Sequence, residues 1–240
     1  TMIFGSLPFT LYVATLRGNR RALFKDHQVR GFLGFLLVTW LVFGTWLWLH
    51  SDNSWLDAFR IVAVNVTSVV TTTGFALGDY TTWGSFAVLL FFYLTFVGGC
   101  SGSTAGGLKI FRFQVAYVLL KANLQQLIHP RAVIKQQYNN HNLDEEIVRS
   151  LITFSFFFAI TIGVIALGLA LIGLDWVTAL TGAATAVCNV GPGLGPIIGP
   201  AGNFSTLPDS AKWLLTVGML LGRLEILTVL VLVTRAFWRH

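Results

Sequence analysis

The chain alternates long uncharged apolar stretches with short charged segments. A membrane-spanning helix needs about 20 mostly apolar residues. Four stretches reach that length: residues 31–51, 83–108, 150–174 and 213–233, the last of them interrupted by Arg223 and Glu225. Trp46 and Trp48, late in the first stretch, suit the aromatic belt at a membrane interface. The pattern therefore predicts four spanning helices.

Two further uncharged stretches carry many polar and helix-breaking residues. Residues 61–78 contain Asn65, Ser68 and several threonines, and residues 176–208 contain two asparagines, four prolines and many glycines. Non-helical backbone at membrane depth is tolerated only where it is buried in protein or lines water. Neither stretch is expected to cross the membrane as one clean helix.

The composition supports a membrane protein and excludes several other classes. Hydrophobic residues make up 55% of the 240 positions and charged residues 11%, against roughly 45–50% and 25% in soluble proteins. A soluble fold of this size lacks the interior to hide that much apolar surface. The same composition excludes disorder and collagen. The two cysteines, Cys100 and Cys188, cannot make a disulfide framework.

The basic residues sort by position along the chain. Of the 16 lysines and arginines, 13 lie in residues 17–30, in residues 109–149 or after residue 233. By the positive-inside rule these segments face the cytoplasm, so the net charge of +6 reflects topology. A nucleic-acid surface is disfavoured, because no aromatic-interleaved basic patch is present. Each unit between two basic segments has two clear spans, so its awkward polar stretch must be a re-entrant loop facing outward.

The two units repeat one architecture. Each has the order helix, short helix, glycine-containing turn, helix. Thr72 lies 117 residues before Asn189, and Arg30 lies 119 residues before Arg149. Sequence identity between the units is low, so the repeat is architectural.

A re-entrant turn around a glycine can direct several backbone carbonyls toward one axis. Rings of carbonyls replace the hydration shell of a monovalent cation in channels. Gly74 and Gly191 permit backbone angles that other residues disfavour, and Thr72 adds a hydroxyl. The alternative is that these segments are kinks or loops that cover a helical bundle. Two turns at matching places in a repeat favour a pore.

Three motifs together resemble the Trk/Ktr/HKT superfamily of potassium transporters, most closely its bacterial TrkH/TrkG uptake subunits. They are Thr72-Thr73-Gly74-Phe75, the glycine-rich run of residues 98–107 followed by Leu108-Lys109, and Asn189-Val190-Gly191-Pro192-Gly193. The resemblance covers essentially the whole chain. It implies an all-α membrane protein with two tandem helix–P-loop–helix units, half of a four-unit pore like that of a K+ channel.

The resemblance also implies the domain boundaries. Residues 1–16 would end a preceding transmembrane helix, and residues 17–30 and 121–148 would be cytoplasmic loops. Residues 31–120 and 149–240 would be the third and fourth pore units of a longer chain. The N-terminal half, with two further units, would be missing, so a monomer of this segment should not form a complete pore.

The function implied is potassium uptake across the bacterial inner membrane, with K+ as the transported ion and no organic cofactor. The ion sites fall at Thr72, Thr73, Gly74, Asn189, Val190 and Gly191. The implied partners are a second copy of the pore subunit and a cytosolic TrkA-like nucleotide-binding subunit. Phe75 and Pro192 replace the tyrosine of the potassium-channel pattern Thr-Val-Gly-Tyr-Gly, so we expect fewer well-formed sites and looser selectivity among K+, Rb+ and Na+.

The glycine-rich run is expected to break its helix, because each glycine costs about 1 kcal/mol relative to alanine. The resemblance implies that it is a mobile intramembrane gate, formed by Gly98, Gly99, Gly102, Gly106 and Gly107 together with Arg223. Close helix packing through small residues is one alternative. A phosphate loop is a poorer one, because Lys109 is one residue late for Walker spacing.

Two further alternatives concern function. The chain could be a non-conducting structural bundle of a larger transporter. Gly99-Cys100-Ser101-Gly102 also matches the GxSG motif of intramembrane serine proteases, but no histidine lies at membrane depth to accept the serine proton.

Arg223 lies at the middle of its stretch, where a charge is costly unless it faces protein or water. A structural pair with Glu225 is awkward, since residues two apart lie on different helix faces. Snorkelling to the interface is another alternative, although the reach from the centre is long. We expect Arg223 to contact carbonyls that the glycine-rich break leaves free.

Overall fold

A computed structural model describes the chain except residues 20, 131–134, 140, 225, 234, 236 and 240. The described part is mostly helical, as expected. Its α-helices are α1 (Met2–Gly5), α2 (Phe9–Leu16), α3 (Ala22–Lys25), α4 (His27–His50), α5 (Trp55–Val70), α6 (Ser85–Phe96), α7 (Ile110–Ile128), α8 (Glu145–Leu171), α9 (Trp176–Cys188), α10 (Asp209–Arg223) and α11 (Ile226–Val233). Short 3-10 helices cover Tyr80–Trp83 and Phe237–Arg239.

Helices α4 and α8 are long and apolar enough to cross a membrane, as judged by length and composition. In each of them only 28% of the most apolar 18-residue stretch is buried within the chain. Leu37 and Leu41 of α4 and Val164 and Leu167 of α8 point outward and are exposed. Apolar faces without a protein neighbour are the pattern expected of helices that face lipid.

Helices α5 and α9 are shorter, and their C-terminal parts lie inside the fold. α5 packs against α4, and α9 packs against α8 and α10. The Ser54 hydroxyl caps α5 by accepting from the Asp57 N–H, and the Asp175 carboxylate caps α9 by accepting from the Thr178 N–H. These caps satisfy donors that a helix start leaves unpaired. Each short helix begins near the surface, and its buried C-terminal part leads into a glycine turn.

The stretch of residues 83–108 is not one helix, which confirms the predicted break. α6 ends at Phe96 and α7 begins at Ile110. The chain between them closes on itself: the Gly98 N–H donates to the Leu108 carbonyl (2.8 Å) and the Leu108 N–H donates to the Phe96 carbonyl (2.9 Å). The glycine-rich loop (residues 98–107) thus projects from a narrow base.

The stretch of residues 213–233 was expected to be a single span, and the structure divides it into two helices. α10 ends at Arg223 and α11 begins at Ile226. A Cβ on Gly222 would lie 1.8 Å from the Val187 carbonyl oxygen, so α10 is pressed against the end of α9. The glycine that permits this approach also weakens the last turn of the helix. Glu225, considered above as a partner of Arg223, lies outside the described residues.

The segments expected to flank the two units also contain helices. Residues 1–16 form α1 and α2, separated at residues 6–8, and α7 continues past residue 120 to Ile128. An antiparallel hairpin pairs β1 (Gln137–Tyr138) with β2 (His141–Asn142). Burial raises the pKa of Tyr138, so its hydroxyl stays protonated and donates to Gln114 of α7.

Candidate functional site

The first glycine turn (residues 72–75) begins where α5 ends. Thr72 has a φ of +52° and Gly74 a φ of +81°. The N–H groups of Thr73 and Gly74 both point back to the helix and donate to the Ser68 carbonyl, at 2.8 Å and 3.4 Å. The end of α5 therefore uses the donors of the turn.

The second glycine turn (residues 189–192) repeats this geometry at the end of α9. Asn189 has a φ of +56° and Gly191 a φ of +120°. The Val190 N–H donates to the Thr185 carbonyl (3.1 Å), and the Gly191 N–H donates to the Thr185 hydroxyl (3.0 Å). The left-handed residues, the glycines and the accepting residue all match the first turn at the offset of 117 residues.

The backbone carbonyl groups of both turns are open, which here means that they accept no hydrogen bond within the described part of the chain. Within the described part of the chain, no hydrogen bond is accepted by the backbone carbonyls of the six residues predicted as ion sites, which are Thr72, Thr73, Gly74, Asn189, Val190 and Gly191. In these turns the backbone N–H groups are hydrogen-bonded and the carbonyl groups, among the described residues, are not. Such carbonyl groups suit a dehydrated monovalent cation.

Each turn is braced by one side chain of the short helix before it. Asn65 donates to the Leu77 carbonyl (3.0 Å) and accepts from the Leu77 N–H (2.7 Å). The Thr181 hydroxyl accepts from the Leu194 N–H (3.1 Å) and lies 3.3 Å from the Leu194 carbonyl oxygen. Leu77 and Leu194 are 117 residues apart, so two different side chains hold the returning chain at one place.

The two turns lie against each other. A Cβ on Gly74 would lie 2.3 Å from the Val190 carbonyl oxygen, and a Cβ on Gly191 would lie 3.7 Å from the Gly74 Cα. Glycine at 74 is therefore required for the approach as well as for the positive φ. The structure brings the two predicted halves of the ion site together.

The glycine-rich loop contacts both turns. The Gly106 N–H donates to the Thr72 hydroxyl (2.8 Å). A Cβ on Gly106 would lie 2.3 Å from the Cys188 carbonyl oxygen, just before the second turn. Among the predicted gate glycines, Gly106 thus contacts the residues predicted as the ion site, whereas a Cβ on Gly98 would meet the Gly106 carbonyl within the loop at 2.1 Å.

Two basic side chains bind consecutive carbonyls of the loop. Arg223, from the end of α10, donates to the Thr104 carbonyl at 2.8 Å. Lys109 donates to the Ala105 carbonyl and lies 3.5 Å from the Ser103 carbonyl oxygen. The sequence-based expectation that Arg223 contacts a loop carbonyl is met, and the Lys109 contacts were not foreseen.

A cavity of about 750 Å³ lies beside the loop. It is bordered by the starts of α7 and α8 and by the end of α10, and its charged lining residues are Lys109, Arg112, Glu146 and Arg223. The Arg112 guanidinium stacks on the Phe154 ring at 3.6 Å, a favourable cation–π geometry. The loop therefore lines this cavity and also contacts the two turns.

Comparison with known proteins decides the family. The family profile of TrkH, described as a cation transport protein, matches residues 2–239. The chain belongs to the TrkH family. This TrkH-family chain is 58% identical over 239 residues to the Trk system potassium uptake protein TrkI of Halomonas elongata, covering 100% of the chain and 48% of that protein. The TrkH protein of the same organism is 35% identical over 239 residues, covering 99% of the chain and 49% of that protein.

The fold agrees with a solved TrkH structure. The chain superposes on the crystal structure of the potassium transporter TrkH from Vibrio parahaemolyticus with a TM-score of 0.91 and 35% identity, covering 99% of the chain and 51% of that structure. The chain thus spans about half the length of the relatives it matches. TrkH-family proteins are membrane transport proteins and not enzymes, so the serine protease alternative at Ser101 is dropped.

Sequence reasoning missed the bracing role of Asn65 and Thr181. Asn65 was noted only as a polar residue that fits a spanning helix badly, and its partner Leu77 is 12 positions away. A buried amide in an apolar stretch needs partners, and this requirement was the available signal. Thr181 carries no such signal, because threonine hydroxyls also bond within their own helix, as this one does to the Val177 carbonyl.

Proposed function

We propose that this TrkH-family chain forms half of a potassium-uptake pore, with K+ passing the open carbonyls of the two glycine turns. The observation that carries the proposal is the repeated backbone geometry: two turns of matching φ angles and donor pairing, 117 residues apart, lie against each other. Relatives named as potassium uptake proteins support K+ as the ion.

The glycine-rich loop with Arg223 is the proposed gate. The loop lines a wide polar cavity and contacts the two turns, and its Thr104 carbonyl is held by Arg223. Glycines impose little steric cost on a changing backbone. A fixed positive charge beside the path raises the barrier to a cation and latches the loop in place.

The complete transporter requires more than this chain. We propose that it lies in the bacterial inner membrane as a multi-pass protein, with two further helix–P-loop–helix units completing the pore. Residues 31–120 and 149–240 are the third and fourth units in this proposal. A second copy of the subunit and a cytosolic TrkA-like nucleotide-binding subunit are the expected partners.

Gly74→Ser tests the ion site. A side chain at residue 74 conflicts with a φ of +81° and with the Val190 carbonyl oxygen at 2.3 Å, so the turn must shift and the carbonyls lose their spacing. Tracer flux in mixed K+ and Na+ salts, measured on the full-length protein in liposomes, should show a lower preference for K+. The control is Gly163→Ser in α8, where a Cβ meets nothing within 4 Å. An unchanged ion preference in a folded Gly74→Ser variant would favour a non-conducting scaffold.

Arg223→Ala tests the gate. Removing the guanidinium frees the Thr104 carbonyl and removes a positive charge, so K+ flux through the full-length assembly should rise, by about tenfold if the contact is worth about 1.4 kcal/mol. Lys212→Ala is the matched control, because Lys212 also lies on α10 but pairs with Asp209 near the helix start. Equal flux in wild type and a well-folded Arg223→Ala variant would contradict the gating role.

A further inference from the structure

The break between α1 and α2 faces the glycine-rich loop, and the two segments exchange backbone hydrogen bonds. The Cys100 N–H donates to the Ser6 carbonyl (2.9 Å), and the Thr104 N–H donates to the Gly5 carbonyl (3.2 Å). In the other direction, the Phe9 N–H donates to the Gly102 carbonyl (3.1 Å). The break between α1 and α2 is thus hydrogen-bonded to the break between α6 and α7.

A side chain adds to this joint, by which we mean the contact between residues 5–9 and the glycine-rich loop. The Thr104 hydroxyl donates to the same Gly5 carbonyl at 2.9 Å. Packing is equally close, since a Cβ on Gly99 would lie 2.9 Å from both the Ser6 Cβ and the Ser6 carbonyl oxygen. Ser6, Leu7 and Pro8, which lie between α1 and α2, are all buried.

Two of the backbone groups that pair with the loop would pair with each other in an unbroken helix. In an α-helix each N–H donates to the carbonyl four residues earlier, so the Phe9 N–H would pair with the Gly5 carbonyl. In this structure both groups are instead paired with the loop. Pro8 makes the exchange possible, because proline has no N–H that the break would leave unpaired.

We propose that residues 5–9 position the glycine-rich loop. The loop leaves the ion site only when the hydrogen bonds that the Gly5 carbonyl and the Phe9 N–H make with it are broken. When the loop moves away, the Gly5 carbonyl and the Phe9 N–H pair with each other, so neither is left unpaired inside the protein. An unpaired backbone group in the membrane interior costs several kcal/mol, which makes two discrete arrangements more favourable than a gradual one. The inference rests on the proposed gating role of the loop.

A disulfide across the joint tests the proposal directly. A Cβ on Gly5 would lie 3.5 Å from the Thr104 Oγ1, so Gly5→Cys with Thr104→Cys places two sulfurs within bonding reach after small adjustments. The measurement is K+ flux of the full-length double variant in liposomes, before and after oxidation and again after dithiothreitol. Oxidation should lower the flux about tenfold, within the range typical of coupling between two sites, and reduction should restore it. Each single variant is the control for oxidation of one thiol alone.

Formation of the crosslink and its effect on K+ flux are measured separately. The crosslink is detected by mass spectrometry of the oxidised protein, whatever its effect on flux. A folded double variant that forms no crosslink overturns the inference. A crosslink without effect on flux, in a protein where Arg223→Ala still raises flux, also overturns it and leaves the proposed gate intact. If neither change alters flux, the proposed gate itself is wrong, and the inference falls with it.

Pro8→Ala gives an independent readout. Alanine supplies the missing N–H and favours the unbroken helix, so the loop should be released and the yield of the disulfide between positions 5 and 104 should fall severalfold. Pro208→Ala is the matched control, since Pro208 also precedes a helix, α10. An undiminished yield in Pro8→Ala would count against the exchange.

Discussion

At the scale of single residues, the geometry of the proposed ion site depends on side chains outside the two turns. Asn65 holds both backbone groups of Leu77, and the Thr181 hydroxyl accepts from the Leu194 N–H. These contacts fix the chain that returns from each turn. The carbonyls of the turns can remain open because other residues determine where the backbone runs.

Asn65→Leu should destabilise the protein, because leucine keeps the branching of the asparagine side chain but has no hydrogen-bonding group. The substitution leaves the Leu77 N–H and carbonyl without partners, at about 1–3 kcal/mol each. The melting temperature of the purified full-length protein should fall clearly. Asn53→Leu is the control, because Asn53 is exposed and bonds only to Ser51 in the same link, and its melting temperature should match wild type. Equal melting of both variants would rule out the brace.

At the scale of elements, the glycine-rich loop is a point where several helices meet. It joins α6 to α7, contacts the ends of α5 and α9, and is held by the end of α10 and the break between α1 and α2. Several of these contacts are made by backbone, and the close approaches at Gly99 and Gly106 leave no room for a side chain.

Gly106→Ala should displace the loop from the turns. The added Cβ would lie 2.3 Å from the Cys188 carbonyl oxygen and 3.1 Å from the Asn189 Cβ, and neither can yield without moving the second turn. We expect higher K+ flux together with lower thermal stability. Gly34→Ala in α4 is the control: its Cβ meets nothing within 4 Å, and alanine is favoured over glycine in a helix by about 1 kcal/mol. Wild-type flux in Gly106→Ala would show that the loop tolerates a side chain there and that the contact is not part of the gate.

At the scale of the whole molecule, the predicted topology puts the links after α4 and α8 on one side of the membrane and the hairpin on the other. The basic residues are concentrated on the hairpin side, which the positive-inside rule assigns to the cytoplasm. The exposed apolar faces of α4 and α8 lie between these two ends.

Cysteine labelling tests this arrangement. Asn53→Cys should react with a membrane-impermeant maleimide only from outside the cell, and Lys135→Cys only in inverted vesicles; both positions are exposed. The native Cys100 and Cys188 are buried, so their background labelling should be low. Labelling of both engineered positions from the same side would contradict the re-entrant arrangement of α5, which lies between them.

Much of this protein follows from its sequence. Apolar length marked α4 and α8, five glycines in ten residues predicted the break between α6 and α7, and the offset of 117 residues located both turns. Local physics controls these features: burial of apolar surface, helix propensity and the conformational freedom of glycine. The split between α10 and α11 was not predicted, and Gly222, close to that split, packs against Val187, a residue 35 positions away.

Only the tertiary structure decided what the turns and the loop touch. The open carbonyls, the braces from Asn65 and Thr181, the contact of Gly74 with Val190 and the joint between residues 5–9 and the loop all connect distant parts of the chain. Residues 1–16 were taken from sequence as the end of a preceding helix, yet they supply hydrogen bonds to the loop. A sequence shows which backbone groups a proline or glycine leaves unpaired, and only the packed fold shows which groups pair with them.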